Sequence, residues 1–213
     1  MRKTERKPGT ASKGELTRER MISEAIRLFA KTGFSETSFQ DIGSACGLSR
    51  AAAFKYFDSK ADLIQAVIDR VVRNNHDHVT RLIESQDDAH ERLCKYFRGN
   101  LSWALSYPEE SQIVLLLYYF SCFSPEFSEV YLRLRNSARR RLLEYVHAGQ
   151  REGLFRSKAP ALAQAELLHD AVLGSIVNCI TVERVSKNGI PAFSKKTEKQ
   201  WAIALDSITG FER

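Results

Sequence analysis

Two glutamate–histidine pairs, Glu144 with His147 and Glu166 with His169, repeat the spacing E-x-x-H. On a helix that spacing sets a carboxylate and an imidazole one turn apart on the same face. Two such pairs make half of a di-iron carboxylate site, whose other half is a glutamate from each of two further helices. Here the two pairs fall on consecutive helical segments, although the usual order places another helix between them. The segments before them offer few inward acids beyond Glu109 and Glu110 beside Pro108. A helical-bundle metal enzyme is therefore the second reading of this chain. His76 and His78, two residues apart, face different ways on a helix. Cys46, Cys94, Cys122 and Cys179 are far apart with no C-x-x-C pair, which disfavours a zinc site or a disulfide framework and leaves them as small apolar residues. A Gly-rich phosphate loop, a nucleophile elbow and an HExxH motif are all missing. The expectation is no catalytic residue, no metal and no cofactor.

The other chemistry on offer is recognition of a polyanion. Net charge is +6, but residues 1–60 hold 12 Lys and Arg against 7 Asp and Glu, while residues 61–213 hold 20 against 19. A basic N-terminal quarter beside a nearly neutral body suggests a polyanionic partner at one end of the molecule. Within that quarter, Ser38 to Lys60 reads as a short helix, a turn at Cys46-Gly47-Leu48 and a second short helix. That is a helix-turn-helix pattern. Gly47 supplies the permissive backbone of the turn, and Ile42, Ala45, Leu48, Ala53 and Phe57 are spaced to bury one face against the preceding helix. In this geometry the first residues of the second helix meet base edges in the major groove, so Arg50 is placed for a bidentate contact to guanine. Ala51 and Ala52 are short enough to admit the groove wall, and either can touch a thymine methyl. The helix starts at Ser38 and Lys60 present backbone amides to phosphates.

The elements that position these groups are all helical. Residues 1–16 are polar and contain Pro8, Gly9 and Gly14, which reads as a flexible basic arm. Arg2, Lys3, Arg6 and Lys7 of that arm could reach a minor groove. Thr17 is a plausible N-cap for a first helix carrying Ile22, Ala25, Ile26 and Phe29 at helical spacing and stopping at Gly33. Ser38 and Asp41, then Ser59 and Asp62, have capping-box spacing and open a second helix and a long fourth one that runs to about Ser85, while Ser49 caps the third. Further helices are expected near 89–106, 109–123, 126–151, 161–185 and 195–210, broken by Pro108, Pro125, Gly153 with Pro160, and Gly189 with Pro191. The fold class is all-α, with a helix-turn-helix domain over 17–63 and a second helical domain over 64–213 joined by helix four. The longest apolar run, Ile113 to Phe120, is far short of the roughly 20 residues a membrane span needs. With no export signal in view, the expected location is the cytoplasm.

Phe29, Gly33, Phe34, Ser38, Ile42, Gly47, Leu48, Ser49, Phe54, Tyr56, Phe57, Ser59, Lys60 and Leu63 resemble the DNA-binding signature of TetR-family (tetracycline-repressor-like) transcriptional regulators. The likeness is detailed over about residues 17–70. It implies a homodimeric repressor of about nine helices that binds a palindromic double-stranded DNA operator and is released by a small molecule. Carried over by position, the DNA contacts fall on Ser38, Gln40, Ser49, Arg50, Ala52, Phe54, Lys55, Tyr56 and Lys60. Two positions depart from the pattern: Phe54 stands where the family usually has tyrosine, and Gly43 replaces the usual alanine, which weakens helix two by roughly 1 kcal/mol of propensity.

The resemblance also puts an effector pocket among helices five to eight. Trp103, Tyr119, Phe123, Phe127, His169 and Asn178 are the expected lining, for an apolar or aromatic ligand, with Asn178 chosen because an amide on an apolar helix needs a partner. Aromatics at this spacing would equally make plain core. The last two helices are the expected dimer interface, through Leu168, Ala171, Val172, Ser175, Ile176 and Cys179 on one and Trp201, Leu205 and Ile208 on the other. The same faces would serve to bury both helices within one chain. Arg139, Arg140 and Arg141 read as a solvated helix face.

Overall fold

The computed structural model describes residues 12–182 and 195–211. Among these the regular structure is helical: α1 (Lys13–Glu36), α2 (Phe39–Ala45), α3 (Arg50–Ala53), α4 (Lys60–Thr80), α5 (Ala89–Ser106), α6 (Pro108–Ser121), α7 (Pro125–Arg151), α8 (Ala161–Val182) and α9 (Lys195–Thr209). The chain divides into two compact units, Met1–Arg70 and Val71–Arg213. Arg2, Lys3, Arg6 and Lys7, the end of α8 expected near 185, and the break at Gly189 with Pro191 lie outside the described residues.

In the first unit α1 begins earlier than Thr17. Ser12 is its N-cap, with Ser12 Oγ accepting from the Glu15 amide and the Glu15 carboxylate accepting from the Ser12 amide. This reciprocal box lets a polar, glycine-containing stretch become helix, so the arm does not extend to residue 16. Gly33 (φ 87°) ends the regular turns of α1, as its position suggests. The apolar stripe of Met21, Ile22, Ala25, Ile26 and Phe29 is buried, and Phe34 meets Phe29 edge-on at 5.1 Å. Ile42 of α2, Ala53 of α3, Phe57, and Leu63 and Val67 of α4 complete this core. Ala45 is exposed and Leu48 half-buried; Cys46, one residue on, takes the buried place.

In the second unit α5 packs against α6, α7 and α8, α6 lies along α7, and α9 along α8. Pro108 and Pro125 open α6 and α7, where their missing N–H leaves no helical bond unmade. A capping box of Asp88 and Glu91 starts α5. α4 stops at Thr80, short of Ser85, because residues 81–86 turn. The turned chain is held by Asp87, a buried carboxylate that accepts from the Glu84 amide at 2.7 Å and from Lys95 Nζ at 2.6 Å. Arg139 of the arginine run is buried rather than solvated: it bonds Glu166 at 2.8 Å and reaches Asp170 at 3.4 Å, tying α7 to α8.

Candidate nucleic-acid interface

The recognition geometry is built by three serine caps and one glycine. Ser38 Oγ accepts from the Asp41 amide at 3.1 Å, while the Asp41 carboxylate takes both the Ser38 amide and hydroxyl. The Ser38 hydroxyl and amide hold that carboxyl below its ordinary value, so it is ionised. Gly47, at φ +66°, turns the chain between α2 and α3, and the Leu48 amide returns to Gly43 O at 2.9 Å. Gly43 is buried against α3: a Cβ there would meet the Ala53 Cβ at 3.2 Å. The departure from alanine thus serves a close helix approach that helix propensity alone does not reveal. Ser49 then caps α3 by accepting from the Ala52 amide at 3.2 Å.

α3 is regular only over Arg50–Ala53; Lys55 and Tyr56 continue it as a turn with bonds to Ala52 O and Ala53 O. Arg50, Ala51, Phe54 and Lys55 are exposed, Ala52 and Tyr56 half-buried. Gln40 is exposed on α2. Phe54, 42% exposed, packs on Phe39 with ring centroids 4.8 Å apart, and the Arg50 guanidinium lies 5.9 Å from the same ring. Phe39, which the sequence did not single out, joins the start of α2 to the end of α3. Behind this surface the Arg18 guanidinium covers the Phe57 ring at 4.6 Å. Ser59 Oγ accepts from the Asp62 amide at 3.1 Å at the start of α4, and Lys60 Nζ donates to Ser35 O at 3.4 Å. The result is one face on which α3 presents a guanidinium, two small residues and an ammonium. It is suited to entering a groove of DNA. Ser38 faces an ionised carboxylate, so a phosphate there must displace or share with Asp41.

The residues expected around an effector are not drawn together in the same way. Trp103 is in the core of the second unit, whereas Tyr119 and Phe123 meet as a tilted pair at the surface, 57% and 72% exposed. Phe127 is half-buried against Phe120. Asn178 is exposed. His169 is half-buried, its Nδ1 3.1 Å from Asp170, and burial lowers its pKa.

The expected dimer faces are likewise revised. Leu168, Val172, Ile176 and Cys179 of α8, and Trp201 and Leu205 of α9, are buried in the chain's own core, with Trp201 stacked on Phe97 at 4.1 Å. Ala171, Ser175 and Ile208 are half-buried. The faces that remain outside carry Leu167, Gly174, Asn178 and Thr181 on α8 and Ile203 on α9. Of the two E-x-x-H pairs, Glu144 and His147 are exposed and Glu166 is engaged by Arg139. Among the described residues no group of three or more His, Cys, Asp or Glu is placed to hold a metal ion, and no helix is long and apolar enough to cross a membrane.

Residues 21–67 match the family described as bacterial regulatory proteins, tetR family. The transcriptional regulator TtgR of Pseudomonas putida is 35% identical over 85 residues, which is 40% of each chain. A probable acrEF/envCD operon repressor of Escherichia coli is 26% identical over 116 residues, covering 52% of this chain and 50% of the repressor. These alignments thus span about half or less of those relatives. Over the whole fold, the structure of AibR in complex with isovaleryl coenzyme A and operator DNA superposes with a TM-score of 0.67 at 17% identity, covering 92% of this chain and all of that one. The serine-capped, glycine-turned helix-turn-helix of residues 21–67 is thus similar to the DNA-binding segment of the tetR family of bacterial regulatory proteins, and the described residues share the all-helical fold of solved regulators.

Proposed function

We propose that the protein is a ligand-responsive transcriptional repressor that binds a palindromic double-stranded DNA operator as a homodimer. The observation that carries this reading is the exposed face of α3 and the turn after it, where Arg50, Ala51 and Lys55 are exposed on a scaffold fixed by Ser49 and Gly47. Arg50 reads a base edge; Gln40, Tyr56 and Lys60 take phosphates, with Ser49, Ala52 and Phe54 shaping the fit and Ser38 contributing after exchange with Asp41. AibR, whose structure holds both an acyl coenzyme A and operator DNA, supports a chain of this fold answering to a small molecule. The effector is an apolar or aromatic molecule held in the second unit. It acts by favouring a state of the dimer in which the recognition helices are wrongly spaced, with α4 as the connecting element, and it shifts that equilibrium only by its differential affinity. The dimer forms through the outward stripe of α8 and α9, Leu167, Gly174 and Ile203, since the inward stripe is already filled. A regulator of this kind works in the cytoplasm.

Selection of bound duplexes from a random DNA pool at physiological salt tests the reading. Enrichment of one palindrome is the expected result and gives the half-site spacing of the dimer. A folded dimer that enriches no sequence at all would overturn it.

A further inference from the structure

The groove between α5 and α9 encloses a cavity of about 120 Å³ lined by His90, Cys94, Phe97, Arg98, Glu198, Trp201, Ala202 and Asp206. That is close to ten times the roughly 10–15 Å³ that admits one water. Three features of its wall belong together. Cys94 Sγ lies 3.9 Å from His90 Nδ1 and 4.0 Å from His90 Nε2, one turn back on α5. The imidazole is held in place by a parallel stack on Phe211, 3.8 Å between centroids, and its Nε2 is 4.0 Å from an Asp206 carboxylate oxygen. Trp201, only 5% exposed, stacks flat on Phe97, and its indole Nε1 is buried without an acceptor. A buried donor left unmatched is uncommon and calls for an explanation, and an oxygen of a molecule in this cavity would satisfy it.

We infer that Cys94 is a modification site for small α,β-unsaturated carbonyl compounds, which enter the α5–α9 groove and add to the thiol. The thiolate is the nucleophile in such additions. His90 takes the thiol proton, and the resulting imidazolium is stabilised by Asp206. Sulfur then bonds to the β-carbon as the carbon–carbon π pair moves to form an enolate, whose oxygen accepts from the Trp201 indole N–H. The proton returns from His90 to the α-carbon. One S–C bond forms, the C=C bond becomes single, and nothing is oxidised or reduced. The cavity uses the Glu198, Ala202 and Asp206 face of α9, whereas Ile203 lies on a different face. Dimerisation through Ile203 therefore leaves the groove open. The inference does not depend on DNA binding.

The test uses the native full-length protein with 2-cyclohexen-1-one, read by peptide mass mapping over time. The other cysteines are internal controls: Cys122 is exposed, while Cys46 and Cys179 are buried, burial pushing the Cys46 thiol up. The adduct is expected on Cys94 first, with His90→Gln slowing it by roughly ten-fold or more. Trp201→Phe keeps the stack but removes the N–H, so it should slow the enone and leave alkylation by iodoacetamide, which develops no enolate, unchanged. Earlier labelling of Cys122, or a Cys94 rate indifferent to His90→Gln, would overturn the site. Equal effects of Trp201→Phe on both reagents would overturn the assignment to unsaturated carbonyls.

Discussion

Arg50 and Lys60 are both cations of the first unit, but their surroundings differ. Arg50 stands at the first position of α3 and, among the described residues, its guanidinium makes no ion pair with a carboxylate, while Lys60 is anchored on Ser35 O. Arg50→Ala should lower affinity for the selected operator by about 1–3 kcal/mol and relax the preference at one base pair. Lys60→Ala should weaken all duplexes alike and reduce the salt slope by about one. Binding titrations on operator and scrambled duplexes at several salt concentrations separate the two, and an unchanged preference in Arg50→Ala would assign the reading to another side chain. Two histidines of the second unit carry a pH prediction. Burial lowers the pKa of His169 and of His78, whose Nε2 lies 2.7 Å from Ser102 Oγ, below the ordinary 6.5. On acidification the unfolded chain takes these protons first. Stability associated with the neutral rings is therefore complete above about pH 6.5 and is lost as pH falls from there toward the folded values. Urea midpoints should drop between pH 7.5 and pH 5.5, and less steeply in His78→Gln and in His169→Gln. The same drop in both variants would show that these rings do not set it.

At the scale of elements, the joints are where small residues matter. Gly149, near the end of α7, lies directly against the ring of Phe155, and any Cβ placed there would collide with that ring. Phe155 is buried and pairs with Phe211 beyond α9, so it has no room to retreat. Gly149→Ala should destabilise by about 1–3 kcal/mol through overpacking, although it raises helix propensity. A denaturation midpoint at or above that of the unsubstituted chain would contradict the close approach. Gly43 follows the same logic between α2 and α3. The starts of α2 and α4 were legible because a serine followed three residues later by an acid names its own hydrogen bonds, as at Ser38 with Asp41; the same spacing in Ser12 and Glu15 went unread within a polar, glycine-containing stretch, so the expected start of α1 fell too late. Helix ends were less so: α4 ends at Thr80 because of the turn that follows and the buried Asp87–Lys95 pair beyond it, a contact eight residues apart that no local pattern encodes.

For the whole molecule, the decisive difference is between the apolar faces that are filled and those left outside. Leu167 and Ile203 are 57% and 67% exposed, while Leu168 and Leu205 are fully buried. Leu167→Glu combined with Ile203→Glu should leave the protomer folded and weaken self-association by about 2 kcal/mol or more, since the changes touch no core position. Sedimentation velocity would show the shift from dimer to monomer, with operator affinity falling in step. An unaltered dimer would place the interface on another surface, the aromatic corner of Tyr119 and Phe123 being the next exposed face.

The amino-acid sequence by itself determined the class of structure, the helix-turn-helix and most of the residues exposed around its second helix. Those features rest on bonds between residues three or four apart and on a single glycine turn, and local spacing encodes them directly. Which of Leu167 and Leu168 faces out, whether Arg139 is solvated or buried, and that His90, Cys94, Trp201 and Asp206 share one cavity were decided only by tertiary structure. An amphipathic helix with more than one apolar stripe leaves its orientation open, and packing against distant elements selects one.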